Sequence, residues 1–593
     1  MKINNIYKSV AICSLLALTT GCHDFEELNT NPYAPKYDPS VEGTTPDGID
    51  IDYTLSEDAF KSLKATEKGI GSTFFNFVYE GPYNDYQTTT NLTHDIYAGY
   101  WGNNVSGFAS DAPVYSYNDG WSATRWKHFY DNRTVGEYSQ LIKTFWFCDK
   151  EYYHTAFYIT RIYYAFLLSM QTDTYGDIPV KYYIKGAVPP EENVEYSSQE
   201  EVYGMIFDLL DQAINKLHNI PNVDQFSLAE FDKCYEGDVQ KWLRFANTLR
   251  LRLALRVSNV NPKLAKEQGE KALKDVAGLM QSQDDNMKQI PKRQYITGGN
   301  ENIYTLLFSW SANVVLTKEL EWAYKNQSGV NTSATEGFEA KDKADDTKFN
   351  CSSANCNLDP RCEVLWFRPT EFDKLAEEPI EESTNDFGGV RNGEKNLGKD
   401  YTIYYSPARA SLTDTKKDDR WWNYSQEIVW MGYSESLFLR AEAALRGWSD
   451  ENVLNLYKDG IRASMEYYQI ETSKIDNYIN NLNYISVFGN SSKKEEQLEQ
   501  IITQKWIAVF PNGNEGWAEV RRTDYPRYML LPMNGNNSAG QVANDKLIKR
   551  ISYPNSESRN PKKPADVTQG TKVWWDVSDT MEGGKWHQPN NFR

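Results

Sequence analysis

Histidine is scarce in this sequence: six residues among 593. That leaves little material for histidine-based metal sites. Only one long apolar run occurs, Val10 to Leu18 at the N-terminus. It is too short to cross a bilayer, which takes about 20 residues, so a polytopic membrane protein is excluded. Positive charge is in deficit, with 63 Lys and Arg against 82 Asp and Glu and a net charge of −19. An acidic body repels phosphate backbones, so no nucleic-acid partner is expected. Signature motifs are missing as well. Gly69 and Gly71 are followed by Phe74 where a phosphate-binding turn needs a third glycine. There is no Gly-x-x-x-x-Gly-Lys-Ser/Thr, His-Glu-x-x-His, Gly-x-Ser-x-Gly or EF-hand pattern. No cofactor, metal site or catalytic residue is expected. The many carboxylates permit a glycosidase pair but do not point to one.

What is present begins with an address. Lys2 and Lys8 precede the apolar run, and Thr19-Thr20-Gly21-Cys22 follows it. A small residue before a cysteine at this place reads as a lipoprotein signal over 1–21, with Cys22 acylated and starting the mature chain. The usual Leu three residues before the cysteine is replaced by Thr19, with Leu18 one further back. Acyl chains would hold a water-soluble body at a membrane surface. Residues 22–55, with Pro32, Pro35, Pro39 and Pro46, read as a tether and lead-in segment. Seven cysteines are present. Beyond Cys13 and Cys22 there remain Cys148, Cys234, Cys351, Cys356 and Cys362. The last three are spaced for a loop disulfide in an exported protein, with the pairing open and one thiol left over.

Aromatics are abundant: 40 Tyr, 17 Trp and 25 Phe. Much of this content sits at helical spacing. Ser198 to Leu217 carries a Ser198/Glu201 capping box and apolar residues from Val202 to Leu217 on one face. The same period predicts helices over His154–Met170, Val239–Val257, Tyr433–Arg446, Asn452–Tyr468 and Leu498–Val509. Gly460 sits where a second helix can approach closely. Paired helices with small residues in the seams suggest tetratricopeptide-like packing. From about 284 to 432 the composition shifts to Gly, Asn, Asp and Ser with isolated Trp, a loop-rich elaboration on a helical scaffold. Asp173 and Asp177 flank a tight turn, where capping is a simpler role than catalysis. Arg521 and Arg522 lie beside several acids, which suits a structural ion network better than a ligand clamp.

Several stretches together resemble one family. They are Glu27-Leu28-Asn29-Thr30-Asn31-Pro32 after the lipobox, Asp173 to Pro179, and Tyr203, Ile206 and Asp208 on one helix. Gly237-Asp238, Lys241-Trp242, Phe245, Asn247, Leu249-Arg250 and Arg252 follow. Then come Glu435, Phe438, Arg440, Glu442 and Ala444, and last Asn514-Glu515, Trp517, Glu519 and Arg521-Arg522. The set resembles the SusD/RagB nutrient-binding outer-membrane lipoproteins, in their divergent second branch. The resemblance implies a single mainly α domain over 22–593, with tetratricopeptide-like helix pairs on one side. It implies a surface lipoprotein that captures oligosaccharides, or in some members peptides. It also implies a partner, a TonB-dependent SusC-like β-barrel transporter on which the protein acts as a lid. It implies binding without catalysis; the competing class is a surface glycoside hydrolase.

Sugar rings offer an apolar face that stacks on Trp and Tyr, while amides and charges bond the hydroxyls. The best local match is Tyr97, Tyr100, Trp101, Asn103 and Asn104, where Gly99 and Gly102 favour a loop. In the family, an early loop of this kind contributes to the glycan site. Trp310 with Asn313 ranks second. Trp421-Trp422-Asn423 reads as a rim beside Asp418, Asp419 and Arg420, and Trp574-Trp575 ranks last.

Overall fold

The structure, a computed structural model, describes residues 40, 52, 56–62, 66–80, 85–103, 112–187, 189, 193–289, 304, 314–325, 336–339, 356–373, 386–394, 404–410, 421–423, 426–482, 485–488, 493–577, 581–582 and 585–592. The longer helices are α1 Glu67–Glu80, α2 Glu137–Asp149, α3 His154–Tyr175, α4 Gln199–Leu217, α5 Val239–Arg256 and α6 Pro262–Lys274. They continue with α7 Tyr433–Leu445, α8 Val453–Tyr467, α9 Thr472–Asn480, α10 Lys494–Val509 and α11 Gly513–Thr523. The fold is mainly α, as expected.

Local chemistry sets the helix starts. The Ser198 Oγ accepts from the Glu201 amide at 3.3 Å, and the Ser198 amide donates back to Glu201 Oε2 at 2.9 Å. That is the reciprocal capping box expected ahead of α4. Asp238 accepts from the Gln240 and Lys241 amides ahead of α5, and Asn261 caps α6, whose first residue is Pro262. Asp177 receives the Gln199 amide at 2.9 Å, so it caps a neighbouring helix as read from its turn.

Successive helices pack as pairs: α3 on α4, α5 on α6 and α7 on α8. α10 lies against α7 and α8, and α11 against α10. At Gly460 a Cβ would stand 2.8 Å from the Phe438 ring, so only glycine lets α8 settle on α7. The strands are short. β1 Gly102–Asn103 pairs antiparallel with β3 Val314–Val315, and β2 Met287–Gln289 with β5 Ile428–Met431. β7 Lys585–His587 lies between β4 Glu336–Glu339 and β6 Met581–Glu582.

A buried ion cluster locks α3, α5, α7, α10 and α11 together. Its carboxylates are Asp173, Glu435, Glu442, Glu515 and Glu519, and its cations Arg252, Arg256, Arg446, Lys505 and Arg522. Five charges of each sign balance. Arg522 is held by Glu442 at 2.7 Å and Glu519 at 2.6 Å, the structural network expected of it. Arg521 lies 3.7 Å over the Trp517 ring and donates to the Asp173 and Lys549 carbonyls.

Cys148 and Cys234 are thiols, and Cys362 is a buried thiol whose pKa burial pushes well up. The suggested loop disulfide therefore does not run through Cys362. Cys351, the signal segment and Cys22 lie outside the described residues.

Candidate ligand-binding site

A cleft opens between the β2–β5 pair, the C-terminal end of α8 and the turn from α10 to α11. Its rings are Tyr304, Trp421, Trp422, Trp430, Tyr467, Tyr468 and Phe510. Its polar side chains include Gln283, Asn286, Glu427, Ser434 and Asn512. Trp421 and Tyr467 are half-buried, so each keeps some ring surface open. Trp421 meets Tyr467 edge-on at 5.2 Å between centroids, and Tyr468 at 4.7 Å. These contacts fix the indole without covering it.

The amides are pre-oriented. Asn286 Oδ1 accepts from the Tyr433 amide at 2.7 Å, and its Nδ2 donates to Gln283 Oε1 at 2.8 Å. Asn512 Nδ2 donates to the Trp430 carbonyl at 3.0 Å. Both carboxylates of the cleft are ion-paired. Glu427 meets Lys288 at 2.9 Å, and Glu435 meets Arg252 at 2.5 Å. Among the described residues, no group of three His, Cys, Asp or Glu could hold a metal ion.

The early aromatic loop lies elsewhere than expected. Trp101 is 2% exposed and Tyr100 fully buried, so neither ring displays a face to a sugar. This corrects the reading of that loop as a solvent-facing platform. Trp101 packs 5.6 Å from Tyr304, 5.9 Å from Trp422 and 5.0 Å from Phe510. It supports cleft-lining rings from behind. The Tyr100 hydroxyl donates to the Trp506 carbonyl at 2.6 Å. Tyr97 is buried against Trp517 and lines a separate cavity with Glu319 and Arg521. Asn103 pairs with Val314 in β1, and Asn104, Trp310 and Asn313 fall outside the described residues. Trp421 and Trp422, which the charged neighbours place on a rim and which rank below Trp101 and Trp310, both line the cleft. Gln283, Asn286, Glu427 and Tyr467 were not singled out, because nothing local distinguishes them from ordinary helix-end and loop residues.

The family model described as starch-binding and associating with outer membrane, in its second SusD-like form, matches residues 62–554. The chain belongs to the SusD-like family. Its fold is that of solved relatives. A chitin-binding SusD homologue from Flavobacterium johnsoniae is 26% identical, with 86% of this chain and 99% of that one covered and a TM-score of 0.67. A SusD homologue from Bacteroides vulgatus is 26% identical, covering 88% and 99% with a TM-score of 0.65. One from Parabacteroides distasonis shares the fold at 24% identity, covering 86% and 98% with a TM-score of 0.68. No curated protein matches the chain. SusD-like proteins are carbohydrate-binding proteins associated with the outer membrane. No helix among the described residues is long and apolar enough to cross a membrane.

Proposed function

We propose that this SusD-like protein is anchored through a lipid on Cys22 at the outer face of the outer membrane. There it captures oligosaccharides and passes them to a TonB-dependent SusC-like β-barrel, which it covers as a lid. The observation that carries this reading is the cleft, where partly open Trp421 and Tyr467 stand beside oriented amides in a family described as starch-binding. Stacking takes the apolar face of a sugar, and Gln283, Asn286 and Ser434 suit its hydroxyls. A few stacked rings give micromolar to millimolar affinity, about −4 to −8 kcal/mol. Many copies on one surface raise the effective strength.

The hydrolase alternative needs one carboxylic acid kept protonated opposite a second carboxylate. Glu427 and Glu435 are each committed to a cation, which suits recognition better than proton transfer. Titrating the purified protein with soluble starch and chitin oligosaccharides by calorimetry tests the reading. Binding without product is expected. Sustained release of shorter sugars, or no binding to any glycan across an array, would overturn it.

A further inference from the structure

Behind the cleft lies a buried carboxyl with an unusual set of partners. Asp95 ends a π-helical segment, Gln87–Asp95, a geometry that often marks functional positions. Its Oδ1 accepts from the Gly513 amide at 3.0 Å and the Tyr86 hydroxyl at 3.2 Å. Its Oδ2 accepts from Asn91 Nδ2 at 3.1 Å and the Tyr304 hydroxyl at 3.4 Å. The Tyr86 and Tyr304 hydroxyls also touch each other. Tyr304 has a further acceptor within reach, the Pro511 carbonyl at 3.2 Å. Tyr304, Trp430 and Pro511 all line the cleft, and Tyr86 packs on Trp430 at 5.8 Å.

Counting protons decides what this arrangement can do. Each phenol carries one. When Asp95 is ionised it can only accept, so the Tyr86 hydroxyl donates to it, and Tyr304, whose hydroxyl touches that of Tyr86, donates to Tyr86 in turn. The Pro511 carbonyl then receives nothing from Tyr304. When Asp95 is protonated, its own O–H donates to the Tyr86 oxygen, Tyr86 donates to Tyr304, and the Tyr304 proton turns to the Pro511 carbonyl. We propose that protonation of Asp95 reverses this hydrogen-bond chain and switches the Tyr304 hydroxyl from Tyr86 to the Pro511 carbonyl, so that the ligand cleft has two wall states selected by pH.

The surroundings permit such a change. Arg125 is the cation acting on this group; its guanidinium donates to the Thr89 and Met170 carbonyls and Thr90 Oγ1 rather than to Asp95. Tyr100 feels the charges of Asp95 and Glu515, and burial raises its pKa well above the ordinary value. Neighbouring His94 is held neutral by burial and by Arg125 and Arg521, and its ring bonds Thr93 and Thr174 instead. Burial pushes the Asp95 carboxyl up to about 7, only partly offset by the hydrogen bonds from Asn91, Gly513, Tyr86 and Tyr304.

The use of the switch rests on the cleft reading above, but its test does not. The full mature chain is labelled with fluorotyrosine, and the Tyr304 resonance is assigned as the one lost in Tyr304→Phe. Fluorine NMR from pH 5 to 9 should show that resonance moving in a single one-proton step with a midpoint near 7. In Asp95→Asn the amide donates to the touching pair of phenols at every pH, so the Tyr304 resonance should stay at its low-pH position throughout. A Tyr304 resonance that does not move in the wild type overturns the switch, even where Asp95→Asn fails to fold. So does a step that survives in a folded Asp95→Asn. No glycan is present in this experiment, so its failure leaves the cleft reading standing. Absence of glycan binding would in turn leave the switch standing.

Discussion

Glu515→Gln removes one negative charge from the balanced buried cluster and leaves the shape nearly unchanged. In the wild type this carboxylate lies 2.5 Å from Arg256, 2.6 Å from Lys505 and 3.4 Å from Arg252. All four side chains are almost completely buried. Glutamine restores some hydrogen bonding but no charge, so three cations share too few anions where water cannot screen them. Breaking a buried pair in this way costs about 3–5 kcal/mol. Against a typical native stability of about 5–15 kcal/mol, that is a large fraction. Urea unfolding followed by tryptophan fluorescence should show the midpoint falling with its slope unchanged. The pH dependence adds a second check. Burial raises the Glu515 pKa, but Arg256, Lys505 and Arg252 outweigh it and hold the carboxyl well below the ordinary carboxylate range. A folded-state value below the unfolded one stabilises above about pH 4 and is lost as pH falls through the folded value. The gap between wild type and variant should therefore be constant from neutral pH to pH 5 and close in acid. A loss under about 1 kcal/mol, or a gap that persists in acid, would refute the claim that this cluster holds the helices together through charge. Glu270→Gln, an exposed i,i+4 partner of Lys274, is the control and should leave the midpoint where it is.

Further expectations follow from single contacts. Trp421→Ala should weaken glycan binding by about 1–3 kcal/mol in calorimetry at a temperature where the variant is folded; unchanged affinity would remove it from the site. Gly513→Ala places a Cβ 2.4 Å from the Asp95 backbone and should destabilise, whereas Gly204→Ala in α4 meets nothing within 4 Å and should stabilise by up to about 1 kcal/mol. Thermal scans of both distinguish steric fit from helix propensity. Burial pushes Glu319 up to about 7, above its unfolded value, so its contribution is present in acid and lost as pH rises through 7. Glu319→Gln should accordingly gain on the wild type between pH 5 and pH 8 in urea titrations, and a constant difference would contradict the burial argument.

The helices were legible because their signals are local. The capping pair Ser198 and Glu201 lies within one turn, and the apolar spacing of α5, α7 and α8 repeats every 3.6 residues, so their boundaries lie within one or two residues of those expected. α3 runs past Met170 to Tyr175, because Thr172, Asp173 and Thr174 are buried by partners distant in sequence. Gly460 was recognisable as a close approach, although Phe438 as its neighbour was not. Cysteine spacing left the pairing open, and only the fold shows that a helix at Pro360–Leu365 carries Cys362 into the core as a thiol.

The amino-acid sequence alone determined the helical scaffold, the acidic character and the family. Those properties are written in composition, in spacing within a few turns, and in the order of short motifs. Only the tertiary structure decided which aromatic rings face a cleft. Trp101 and Trp421 are the same residue type in similar loop settings, yet one is enclosed by Tyr304, Trp366, Trp422 and Phe510 and the other borders open space. Exposure of a ring is set by what packs over it, and those neighbours come from segments hundreds of residues away along the chain.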